Sequence, residues 1–546
     1  MPDLVLGPLL RYVGETEAVI WVETDRACEV EVLGTRDRTF SVCGHHYALV
    51  RCGDLTAGSR YAYEVHLDGE RVWPRDDGFP PSSFRTYPKE EPLQVVFGSC
   101  RVAAPHEPPW SLRKDEDPRG REIDALRTLA MRMRDQPCEQ WPDLLLMIGD
   151  QVYADETPPA TRSFIATRRD VGKPPGERVL DFEEYHMLYR ESWSDPHIRW
   201  LLSTVSTAMI FDDHDVHDDW NISQAWLEEM RRHEWWNRHI VDAYASYWVY
   251  QHLGNLSPDA HADDRLLRRV KESGDAAPIL EEFGRSADRT AAGTSWSYCR
   301  DLGRTRLVVI DSRAGRILEE GRRSMLDEHE WHWLEAHVSG DFDHLLVATS
   351  LPWLLGHGMH YAEAWSEAVA GGAWGARMTS LGERARRAAD LEHWPAFQAS
   401  FARLTELLRQ VAAGERGRAP ASVVVLSGDV HHAYLCEVAF RDGPVESNVF
   451  QAVCSPYRNP LEAKERRVIR LGWSRPGKSV SRALARSAGV RDPDVRWRLA
   501  NGGPWFDNQF ATLHIDGRQI VMRLEKAVPR DTASARLETV LERPLA

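Results

Sequence analysis

The chain has 546 residues, of which 42% are hydrophobic and 28% charged, with a formal net charge of −15. That length predicts two domains, or one large domain with insertions. The acidic balance argues against a general binder of nucleic acid or anionic membrane, but it leaves phosphorylated substrates open, because bound cations reverse the local sign.

Eight cysteines are scattered without a CxxC pair, so neither a disulfide framework nor a zinc ribbon is predicted and a reducing compartment is favoured. The opening MPDLVLGPLLRYVGETEAV lacks a basic start followed by a sustained apolar run. No signal peptide or membrane span is therefore expected, and the predicted location is cytoplasmic. The 21 tryptophans read as core and cleft walls.

Residues 1–90 contain short alternating runs (EAVIWVET, CEVEVLG, TFSVCG, YALVRC, YAYEVHLDG, ERVWP) separated by turn residues. They predict a small all-β domain of immunoglobulin or fibronectin-III type. The Pro-rich FPPSSFRTYPKEEP then reads as a linker. From Leu93 onward, apolar runs alternate with helical patterns, as in a layered α/β sheet. Within 91–546, insertions are expected around 156–205 and 222–305. Residues 156–180 read as a basic, mobile loop, 222–253 as helix with a heavy aromatic face, and 255–292 as charged and peripheral. FATLHIDGRQIVMRLEKAV closes the chain as a hairpin around Asp516-Gly517.

Six apolar runs stop in polar or small residues: LQVVF in GSCR, DLLLMI in GDQVYAD, TAMI in FDDHDVHDDW, RLVVI in DSR, HLLVA in TSLPW and SVVVL in SGDVHH. Carboxyl ends of strands are where α/β sheets build active sites. Asp150 follows a glycine at one such end, with Tyr153 three residues on; alone, Asp150 reads equally well as a helix cap. Asp429 and His431 alternate at another end and so project to one side. Asp212, Asp213, His214 and Asp215 crowd a third. Converging carboxylates without a cation repel in a partly buried cleft, so the aspartates are read as metal ligands. Two metals roughly 3.5–4 Å apart suit hydrolysis of a phosphate ester.

GSC, GDxxYAD, DDHD and SGDVHH, in this order, resemble the calcineurin-like metallophosphoesterase superfamily, and more narrowly its PhoD-like alkaline phosphatase/phosphodiesterase branch. GDQVYAD is also similar to the purple acid phosphatase motif. The resemblance covers essentially the whole chain. It implies a four-layer sandwich, two mixed sheets flanked by helices, behind the β-domain. It further implies that Asp150 bridges two metals, with Tyr153 and Cys100 on an iron-type Fe(3+) site. Asp213, Asp429 and His431 are implied as further ligands, and His214 as leaving-group acid or phosphate contact. On the residues alone, Cys100 reads as a buried inert thiol.

The sequence departs from the superfamily pattern where GSC replaces the opening DxH and Asp213 replaces an Asn. The extra carboxylates shift the second ion toward calcium, magnesium or manganese. The mid-domain histidine is absent from ATSLPW, and His357 or His360 is the expected substitute. Asp215 and Asp218 are second-tier ligands or orienting groups. Arg101 and Arg313 are candidates for contacting substrate oxygens or for structural ion pairs.

GWSRPGKS at Gly472–Ser479 matches the phosphate-loop pattern, but too little chain follows for a nucleotide domain. HEWWNRH at His233–His239 spaces its histidines onto different helix faces, unlike a zinc protease. The expected function is metal-dependent hydrolysis of phosphate mono- or diesters by a hydroxide activated between two metals. The alternatives are phospholipase D-like diester cleavage and a non-catalytic metal-binding interaction protein.

Overall fold

The computed structural model describes residues 1–88, 92–290, 296–500, 502–530 and 535–546. The boundary expected at residue 90 lies outside the described residues, as do 291–295 of the second insertion.

The N-terminal segment forms two four-stranded sheets and a short two-stranded one. The expected runs are strands, with YAYEVHLDG broken into Arg60–Ala62 and Val65–Leu67. Two features were not anticipated. Leu4–Val13 is a ten-residue strand pairing with Ala18–Thr24. Ser83–Arg85, read as linker, pairs with Arg60–Ala62.

The sandwich is fastened to the rest of the chain by buried polar contacts. Arg11 donates to the carbonyls of Tyr250 (2.6 Å) and Gln251 (2.7 Å). Trp21 donates to the Val249 carbonyl, and Tyr63 to that of Ser203. The carbonyls of Tyr250 and Gln251 belong to a π-helical turn, Trp248–His252, and such widened turns leave backbone groups free for outside partners.

All six predicted α/β runs are strands. Leu93–Gly98, Leu144–Ile148 and Ser206–Ile210 lie parallel in one sheet. Gln509–Asp516, Gln519–Pro529 and Ala535–Pro544 extend it antiparallel, the first two as the expected hairpin. The second sheet has seven strands. Thr305–Ile310, His344–Thr349, Ser422–Ser427 and Asn448–Val453 are its parallel centre.

Side-chain alternation explains the layering. Val95, Phe97, Leu146 and Ile148 meet Val309, Leu346, Ala348 and Leu426 in one buried cluster, while Val96, Leu145, Met147, Val347 and Val425 join a second cluster with helical residues. Two mixed sheets therefore share a core and carry helices outside, as expected.

The 156–180 segment is not a free loop. Pro159–Arg168 is helical, and Arg168 and Arg169 are held by Asp181 and Glu184 at 2.8 and 2.9 Å. The helix expected over 222–253 is aromatic-rich but is interrupted at residues 231–235, between Gln224–Met230 and Trp236–Tyr247, which continues into the π-helical turn. Ten tryptophans are fully buried, which agrees with the core reading. The phosphate-loop match spans the turn between two helices with no strand before it, so its backbone is not a phosphate cradle. His239 is buried against the carbonyls of Val179 and Val216, away from His233's exposed position. Among the described residues, no helix is long and apolar enough to cross a membrane.

Candidate metal centre

The parallel strands of both sheets end on one edge because their registers are level: Ile148 stands opposite Ile210, and Ile310 opposite Thr349. The turns that follow are unusually tight. Cys100, Asp150, Asp429 and His431 all adopt positive φ, between 49° and 65°. Left-handed backbone in non-glycine residues is disfavoured and concentrates where function requires it. Two glycines permit the approach of neighbouring turns. A Cβ at Gly149 would collide with the Asp212 carboxylate, and one at Gly428 with Ser99 Oγ.

Two ligand groups result, each with donor atoms mutually within 4.8 Å. One is Cys100, Asp150 and His431; the other is Asp150, Asp212, Asp213 and Asp429. Asp150 belongs to both. Tyr153 Oη donates to Asp150 Oδ2 at 3.3 Å and accepts from Asn459 Nδ2 at 3.2 Å. The candidate ligands Cys100, Asp150, Tyr153, Asp213, Asp429 and His431 are therefore brought together.

The donor set fits cations. Asp150 Oδ1 and Asp212 Oδ2 are buried without a hydrogen-bond partner, which is costly for a carboxylate unless an ion satisfies it. Burial pushes the Asp150, Asp212 and Asp213 carboxyls upward, and neighbouring carboxylates add to the push. A bound cation reverses that shift. Burial also lowers His431 to about 3, so its imidazole is neutral, the ligating form. Burial and then Asp150 raise the Cys100 thiol, and a coordinated metal deprotonates such a group.

His214 and Tyr153 are packed ring to ring at 4.5 Å. His214 Nδ1 donates to Asp155 Oδ1 at 2.9 Å, and its Nε2 lies 3.8 Å from Asp218 Oδ1. Burial favours the neutral ring, but Asp155, Asp150 and Asp213 outweigh it and raise its pKa. Asp155, not Asp215, therefore orients this imidazole. Asp215 instead accepts the Asp212 N–H at 3.1 Å and Gln251 Nε2 at 3.0 Å, holding the turn.

Three further expectations need correction. Arg101 is buried against Asp124 (2.8 Å) and the Ser192 carbonyl, and Asp124 caps the helix Ala125–Arg134. It is a structural ion pair. Arg313 has no exposed surface; its guanidinium meets Asp212, Asp213, Asp429 and Glu392. It underlies the carboxylates rather than facing the cleft. His360 is packed against Phe401 and Trp497, while His357 stacks on Trp497; neither joins the cluster.

The histidine that does is His393, whose Nε2 lies 3.2 Å from Asp429 Oδ2 and whose Nδ1 is held by Glu363. Sequence reasoning missed it because LEHWP follows no strand. Asp155 stood in the quoted GDQVYAD without a role, whereas Asp212, read with its neighbours as a metal ligand, does fall in the second ligand group. The cluster floors a cleft of about 700 Å³, bounded by Lys114, His214, Asp218, His393, Asn459 and a wall of helical residues from 461 to 481.

A family model described as PhoD-like phosphatase matches residues 127–457, and one described as a domain of unknown function (DUF7800) matches residues 1–84. A solved structure titled "Structure of PhoD" aligns with a TM-score of 0.59 and 11% identity, over 100% of this chain and 92% of that one; at this identity the likeness is one of fold. No curated protein matches the chain.

Proposed function

Because the chain belongs to the PhoD-like phosphatase family, metal-dependent enzymes acting on phosphate esters, we propose that its hydrolysis is carried by the carboxylate centre with Asp150 shared between two cations. The observation that carries this reading is the membership of Asp150 in both ligand groups, together with its buried, unpartnered Oδ1. Cys100, Tyr153, Asp150 and His431 would hold Fe(3+), since thiolate and phenolate favour a ferric ion. Asp150, Asp212, Asp213 and Asp429 would hold calcium, magnesium or manganese, which prefer oxygen. Bound there, the ions supply acidification of water and neutralisation of phosphoryl charge.

The chain's own residues do the rest. Arg313 holds Asp212, Asp213 and Asp429 in place from beneath, and His393 steadies Asp429 from the cleft side. Asp155 engages His214 Nδ1, leaving Nε2 as the atom that donates a proton to the leaving oxygen. The cleft has room beyond the carboxylates for the organic part of a phosphate mono- or diester.

The test is Asp150→Asn, assayed by elemental analysis and by a panel of mono- and diesters. The fold should persist while most bound metal and nearly all hydrolysis are lost. Full metal content with unchanged turnover would remove Asp150 from the mechanism.

A further inference from the structure

The net charge of −15 conceals a local reversal. Between residues 462 and 487 the chain carries eight basic and two acidic residues. This stretch is two helices, Ala463–Trp473 and Arg475–Ser487, meeting at Ser474. It forms the wall of the cleft through Val468, Ile469, Leu471, Trp473 and Val480. Its base is anchored where Trp473 meets Tyr434 edge-on, with ring centroids 5.0 Å apart. The second helix rests on the helix His357–Ala370 through Ala485, which clusters with Tyr361 and Ala364, while the first helix buries no residue.

Four of the six exposed large apolar side chains among the described residues sit here: Val468 (60%), Leu471 (58%), Val480 (70%) and Leu484 (37%). Apolar surface gathered in one place marks an interaction site. Half of the eight cations are paired within the chain, and Arg470 also stacks over the Phe506 ring at 4.8 Å. Lys464, Arg466, Arg482 and Arg486 are paired with Glu462, Asp115 and Asp492. Arg467, Arg470, Arg475 and Lys478 have no carboxylate partner within 4 Å among the described residues, and the first three are exposed.

We propose that this helical hairpin docks the enzyme on an anionic lipid surface, with the mouth of the cleft turned toward the headgroups. Exposed apolar residues alternating with unpaired arginines are what a helix lying in a membrane interface presents. The apolar side chains enter the acyl boundary while neighbouring cations meet anionic headgroups. Arg467 beside Val468 and Arg470 beside Leu471 have stems long enough to keep their charge at the water side. A second copy of the chain is disfavoured, because a two-fold contact would set these arginines against themselves. The overall acidity of the chain does not oppose docking, since charges beyond a Debye length are screened.

Flotation of the full chain with vesicles of phosphatidylcholine, with and without phosphatidylserine, tests this. Binding should require phosphatidylserine and weaken as salt is raised. Arg467→Gln with Arg475→Gln, both exposed and so harmless to folding, should lower partitioning about 25-fold, at about fivefold per cation. Leu471→Ser with Val480→Ser should abolish it, with the thermal transition unchanged. The proposal is overturned if wild-type protein ignores anionic vesicles or binds neutral ones equally. It is also overturned if the arginine variant partitions like wild type, or if Leu471→Ser instead dissolves a dimer. No turnover is involved, so the outcome is separate from that of the Asp150 test.

Discussion

Asp155 Oδ1 stands 2.9 Å from His214 Nδ1, although 59 residues separate the two in sequence, and the Asp218 N–H reaches the same carboxylate at 2.8 Å. This pairing fixes which ring nitrogen of His214 is free. General acid catalysis is worth about 10²–10⁴-fold where the leaving group is poor, and little where it is a nitrophenolate. His214→Ala should therefore retain its metals, hydrolyse nitrophenyl esters comparatively well and fail on alkyl phosphates. Asp155→Asn should show a milder form of the same dependence on leaving group. A uniform loss across substrates, with metal content falling, would make His214 a ligand instead. Asp215→Asn should leave the leaving-group dependence intact and lower stability, because it loosens the turn at Asp212.

Tyr153 donates to Asp150 Oδ2, and Cys100 shares a ligand group with Asp150 and His431. With ferric iron there, electron-rich phenolate and thiolate ligands give charge-transfer absorption in the visible. Purified enzyme should be coloured, and Tyr153→Phe should abolish or shift the band. A colourless, iron-free and fully active enzyme would refute the assignment.

Arg313 is a buried guanidinium shared by four carboxylates. Removing one member of a buried ionic network typically costs about 3–5 kcal/mol, because the rest are left uncompensated. Arg313→Met should accordingly lower the melting temperature of metal-free protein steeply. Added divalent cations should recover more of that loss than they add to wild type, since they neutralise the same carboxylates. Thermal scans with and without cation read this directly. Equal gains in both proteins would mean that the guanidinium and the ions act on different groups.

His360 lies among Phe401, Trp497 and Tyr361, with Nδ1 buried and unpartnered. Burial, and then His357, lower its pKa from 6.5 to about 3. Between those two values the unfolded chain binds a proton that the folded chain refuses. Stability is therefore full above the unfolded value and falls as pH drops through this window. At pH 5 the contribution is about 2 kcal/mol against the fold. His360→Phe should flatten the acid limb of melting temperature against pH, and parallel limbs for variant and wild type would exclude this role.

The six strands and the acids at their ends were legible in the sequence because both follow from local pattern. An apolar run of strand length that halts at glycine and aspartate announces its own carboxyl edge. Asp150, Asp213 and Asp429 could be named before any contact was known, because acids stand at three strand ends in ordered motifs, although Asp150 taken alone reads equally well as a helix cap. What tertiary structure alone decided is which side chains face those ends across chain distance. His393 reaches Asp429 from a segment between helices, where no periodicity marks it. From its place after a strand Arg313 could be a substrate contact or a structural ion pair, and the second sheet decides this by turning it inward beneath four carboxylates. Arg101 likewise follows a strand, and a helix cap claims it. The apolar residues of 463–487 have helical spacing like any core helix, and only the absence of a layer above them leaves Val468, Leu471 and Val480 in water. Local pattern encodes what a residue can do; burial and the charges set against it, which depend on the whole packed chain, decide what it does.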